Sequence, residues 1–126
     1  MKHLIPAVAM LLAVTFFCCI NTVCMGKVVD NTSELITSAL ELAEDGKWNE
    51  AQEQCSQASD YWTSKNDYLG TVLNHNISDK ISECIPSLTK LAKWQETAEF
   101  TALATEMLVY LEHIKEMERP SLSNIL

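Results

Sequence analysis

Hydrophobic side chains are distributed along this chain in two different ways. From Leu4 to Met25 they run with no charged residue among them, and from Lys27 onward they recur every three or four positions between acidic, basic and amide side chains. The first pattern predicts one apolar helix, long enough at 1.5 Å per residue to cross the ~30 Å of a bilayer's hydrocarbon. The second predicts amphipathic helices that bury one stripe each in a bundle.

Asn31 stands three residues before Glu34 and ahead of Leu35, Ile36, Ala39, Leu40 and Ala43, which predicts a capped helix with one apolar stripe, ended by Gly46. A second, long helix follows, with a seam through Trp48, Ala51, Cys55, Ala58 and Trp62 that continues to Leu69 and Val72 or Leu73. Its small middle residues let a neighbour approach, while the two tryptophans close the ends. Asn74-His75-Asn76 interrupts the pattern, and Asn76 is expected to cap a third helix carrying Ile77, Ile81, Cys84, Ile85, Leu88 and Leu91. Pro86 removes a donor there, predicting a kink over residues 82–85 or a restart. The fourth helix runs from about Trp94 to Glu118, with Phe100, Leu103, Ala104, Met107, Leu111 and Ile114 on one face, and Pro120 stops it.

"LAEDGKWNEAQEQ" and "LTKLAKWQETAEF" both carry Lys-Trp followed by Glu, 46 positions apart, each at the expected start of the second helix of a pair. The segment from Gly46 to Ala51 resembles the opening of a tetratricopeptide helix, though two copies are fewer than such solenoids need. The expected fold is therefore all-α: an N-terminal signal anchor or signal peptide at 1–26, then an antiparallel four-helix domain of two duplicated hairpins at 27–126 with an apolar C-terminal tail.

Lys2 gives the apolar run a basic start, as in secretory signals and uncleaved anchors. Thr22-Val23-Cys24 is a poor exit site for a signal peptidase, so an anchor is favoured over cleaved secretion, with a buried core helix as the third reading. The expected location is the cell membrane, crossed once, with the C-terminal domain extracytoplasmic; secretion is the alternative. In such a compartment Cys55 and Cys84 are either bridged or buried free thiols, since Cys18, Cys19 and Cys24 belong to the leader. No Cys-x-x-Cys is present.

Charge narrows the function classes. Residues 27–126 hold 8 basic against 17 acidic side chains, a formal −9, which disfavours nucleic acid and argues against the domain lying on anionic lipid. His75, Asp79 and Glu83 are four apart and would share a helical face, with His113 a distant fourth. Carboxylate-bridged bundles use Glu-x-x-His, however, and Val72 and Tyr110 hold the corresponding positions. His75 then reads as a hinge or cap, and His113 as a charge at a helix C-terminus. Ser64-Lys65 and the formal Ser-x-x-Lys of Ser87 to Lys90 fall on ordinary helix surface, and three glycines supply no phosphate loop. No enzyme, cofactor or metal site is expected.

The charged start, the apolar leader, Gly46-Lys47-Trp48, Trp62, the Asn74-His75 step followed by Ile77 and Ile81, and above all "YLEHIKEMERPSLSNIL" resemble a family of short bacterial proteins, domain of unknown function 4363. The resemblance spans nearly the whole chain. It implies a helical protein, membrane-anchored or exported, with no assigned activity and no catalytic residues; Pro86 departs from its pattern.

Leu122, Ile125 and Leu126 would be unfavourable in water, so the tail is expected to cover one end of the bundle or to meet a partner, Asn124 helping the return. The functional expectation is a non-catalytic interaction or accessory module at the cell envelope with a membrane-protein partner, oligomeric state open. Its candidate interaction or hinge residues are Trp48, Trp62, His75, Leu122, Ile125 and Leu126. A ligand- or metal-sensing bundle is the alternative, and a hydrolase the remote one.

Overall fold

The computed structural model describes residues 2–65, 67–69 and 75–118. Among them every regular element is helical: α1 (Leu4–Glu44), α2 (Trp48–Ser64), α3 (His75–Lys93) and α4 (Thr97–Glu118), with a further helical stretch at 67–69.

The first departure from expectation is α1. Leader and first bundle helix are one continuous helix of 41 residues, so Asn31 caps nothing and lies in its middle. Its side chain has another use, since the Asn31 amide donates to the Tyr61 hydroxyl at 3.0 Å. Packing outweighs the local stop signal: Met25, Val29, Thr32, Ile36, Ala39 and Ala43 make an unbroken buried seam at spacings of four and three, which only continuous helix can present to one side. Thr32 is buried without penalty because its hydroxyl donates to the Val28 carbonyl at 2.8 Å.

Each helix packs on two neighbours, α1 on α2 and α4, and α3 on α2 and α4, which closes the ring of a four-helix bundle. Trp48 meets Phe100 at the far end, and Asp30 of α1 meets Lys115 of α4 nearer the leader at 2.9 Å, so successive helices alternate in direction. A solenoid stacks in line and keeps its ends apart. Here the last helix returns to pack on the first.

The hairpins are duplicated, but in a different phase from the Lys-Trp match. Gly46 ends α1 in the left-handed region at φ 78°, and Gln95 does so for α3 at φ 57°. The turn bonds repeat around those residues. Gly46 N–H reaches the Ala43 carbonyl at 3.0 Å and Lys47 N–H the Leu42 carbonyl at 2.8 Å; Gln95 N–H reaches Ala92 at 3.2 Å and Glu96 N–H reaches Leu91 at 3.0 Å. Equivalent residues are thus 49 apart, Gly46 with Gln95, and the buried positions agree: Ile36 with Ile85, Ala39 with Leu88, Cys55 with Ala104, Trp62 with Leu111. Trp94 is therefore not a second Trp48. It sits in the turn, 69% exposed, and α4 begins only at Thr97.

Two further boundaries shift. α2 ends at Ser64, short of the predicted long helix, although Leu69 still inserts into the core, and Val72 and Leu73 lie outside the described residues. α3 starts at His75, which puts Asn76 inside its first turn instead of at the cap, and it runs through Pro86 without restarting. Pro86 occupies an exposed position, where water can reach the carbonyl that its missing N–H leaves unbonded.

Candidate membrane-proximal site

The two predicted tryptophan sites do different things. Trp48 is half-buried at the end away from the leader, its ring edge-on to Phe100 with centroids 5.6 Å apart. Trp62 is buried, and its indole N–H donates to the Ser82 hydroxyl at 3.1 Å, tying α2 to α3. Both are packing residues of the bundle. His75 opens α3, but its side chain, like Leu122, Ile125, Leu126, Asn124 and Pro120, lies outside the described residues.

Among the described residues no three His, Cys, Asp or Glu side chains gather as a cation would require. His113 is exposed, 3.9 Å from Glu116 on its own helix. Ser87 donates to the Glu83 carbonyl at 3.2 Å, an ordinary helix-surface bond. Cys55 and Cys84 are free thiols, Cys55 fully buried and pushed up to about 12 by that burial, and Cys84 raised chiefly by its own partial burial. Lys80 reaches across to α4, its ammonium 4.6 Å from the Tyr110 ring centre, and the interaction with that tyrosine raises its pKa.

What the fold does assemble lies where α1 emerges from the bundle. Residues 2–20 are exposed all round, and the large apolar side chains from Leu4 to Val23 are 45–75% exposed, an uninterrupted hydrophobic surface that water does not tolerate in a solitary monomer. The helix is long and apolar enough to cross a membrane. The bundle meets it at Asn21, whose backbone carbonyl accepts from the Tyr68 hydroxyl at 3.0 Å.

One turn further along α1 is a cleft of about 340 Å³ between Cys24, Lys27 and Asn31 on one side and Tyr61, Lys65 and Tyr68 on the other. Lys65 lies 5.9 Å from the Tyr61 ring centre, and among the described residues neither Lys27 nor Lys65 is in an ion pair. Sequence reading missed this cleft. The available signals were the four-residue step from Lys27 to Asn31 and the steps of four and three from Tyr61 to Lys65 to Tyr68, both consistent with one helical face.

A family model described as a domain of unknown function, DUF4363, matches residues 21–125, beginning at the residue where the bundle first grips α1. No curated protein and no solved structure matches the chain.

Proposed function

The chain belongs to the DUF4363 family, and we propose that it acts as a non-catalytic interaction or accessory module, held in a bacterial cell membrane by the first half of α1 with its bundle on the extracytoplasmic side. The observation that carries this reading is the single helix shared by an exposed apolar segment and a closed, well-packed bundle. An apolar half-helix of this length needs lipid or protein around it. The bundle core is filled by aliphatic and aromatic side chains, and no buried side-chain polar atom among the described residues lacks a partner, so the interior supports packing more than turnover.

Confinement to a membrane plane raises the effective concentration of the bundle near any partner embedded in the same plane. With no hinge between the halves of α1, such a partner meets the bundle at a fixed height and orientation. Crosslinking in intact cells, followed by purification through the C-terminal domain, should recover a defined integral membrane protein from the membrane fraction. Recovery of the intact chain from the soluble fraction would remove the basis of the reading.

A further inference from the structure

We propose that the cleft between Lys27, Asn31, Tyr61, Lys65 and Tyr68 binds the phosphate of an anionic phospholipid headgroup in the leaflet from which α1 emerges. The inference rests on the anchor reading above and adds a ligand to it. Counted from Leu4 at 1.5 Å per residue, ~30 Å of hydrocarbon ends near Val23, which puts Cys24 and Tyr68 at the hydrocarbon edge and both lysines at headgroup depth. Tyrosine and lysine are side chains enriched at this level, and the Tyr68 hydroxyl there donates to the Asn21 carbonyl at 3.0 Å.

Charge singles out the same place. Among the described residues no carboxylate lines the cleft, although residues 27–126 carry −9, and Asp67, two positions beyond Lys65, is not part of the lining. Asp30, on a neighbouring face of α1, is occupied by Lys115 at 2.9 Å. The acidic turn at Glu44 and Asp45 lies ~26 Å further along α1, beyond the ~8 Å over which physiological salt screens charge. The bundle as a whole thus avoids an anionic surface while its membrane-facing cleft attracts one phosphate. Two ammonium groups supply the charge, and the Tyr61 hydroxyl, accepting from Asn31 at 3.0 Å, keeps its own proton for a phosphate oxygen. Cys24 and Val28 provide the less polar floor for the glycerol end.

The test uses the full chain. It should float with phosphatidylcholine vesicles; failure to float overturns the anchor reading and this one with it. In nanodiscs of mixed phosphatidylcholine and phosphatidylglycerol, native mass spectrometry should show retained phosphatidylglycerol favoured on the order of tenfold, as two lysines near a headgroup would give. The double variant Lys27→Gln/Lys65→Gln should abolish that preference, and Tyr61→Phe should reduce it. Lys47→Gln/Lys93→Gln, which removes the same charge at the opposite end, should leave it intact. A chain that floats but shows no preference, or loses it equally with the distal pair, overturns the headgroup site alone. Displacement of the retained lipid by millimolar inorganic phosphate would reassign the cleft to a soluble phosphate ligand.

Discussion

Burial at Cys55 has a consequence that can be measured in solution. Its thiol sits in the core with its pKa pushed up to about 12 from an ordinary 9.0, so the folded chain keeps this proton at pH values where the unfolded chain releases it. Stability from this group is complete below about pH 9 and is lost as pH rises toward 12, because above the unfolded pKa the unfolded state binds fewer protons. Chemical unfolding between pH 8 and 11 should therefore show a decline that is shallower in Cys55→Ala. A thiol reagent should modify Cys55 only on the timescale of unfolding. The left-handed turn residues give a second pair of outcomes. Gln95→Gly should stabilise the chain by roughly 0.5–1 kcal/mol, and Gly46→Ala should destabilise it by about 1 kcal/mol, since a Cβ is disfavoured at positive φ; shifted denaturant midpoints would show both. A matching glycine at 95 would have revealed the true phase of the duplication. Because glutamine stands there, the conspicuous Lys-Trp pairs drew the match three residues out of register.

At the scale of the helices, the apolar stripes were legible. Ile36, Ala39 and Ala43, then Ala51, Cys55, Ala58 and Trp62, then Ile81, Ile85 and Leu88, and Phe100, Ala104, Met107, Leu111 and Ile114 are buried, while Leu35, Leu40, Ile77, Cys84, Leu91 and Leu103 flank them half-buried, because a period of three and four leaves a helix one way to dry its apolar side. Element ends were not legible to the same degree. Asn31 has the chemistry of a cap, yet the buried seam from Met25 to Ala43, packed on helices distant in sequence, keeps it in mid-helix and leaves its amide to Tyr61, which local reading cannot supply. Pro86 and Gly26, residue types that disfavour helix interiors, both sit in continuous helix, and each predicts a gain on replacement. Pro86→Ala restores a backbone donor at an exposed site and should stabilise α3 by about 1–3 kcal/mol. Gly26→Ala should add about 0.5–1 kcal/mol, since a Cβ there meets nothing within 4 Å. Thermal unfolding in a fixed detergent would rank the two.

For the whole molecule, composition and pattern sufficed for an all-α chain with an apolar lead helix. The cleft beside the exposed half of α1 was beyond reach because its residues come from three segments of the sequence, brought together by a hairpin and by the stretch at 67–69. The shared backbone of α1 predicts a phase relation between the two halves. One alanine inserted between Cys18 and Cys19 should turn the leading segment by ~100° relative to the bundle. On the proposed membrane reading, partner crosslinks from the bundle should weaken while its unfolding midpoint stays unchanged; unaltered crosslinks would mean that the partner does not sense orientation.

The unbroken run of α1 also makes the protein a pointer without a swivel. A helix of 41 residues is ~60 Å long, and within a membrane such helices lean to match the local thickness. A lean of about 10° at the base carries the opposite tip, with Gly46 and Trp94, sideways by ~10 Å. On the proposed membrane reading, bilayer thickness is read out as lateral displacement at the distal tip.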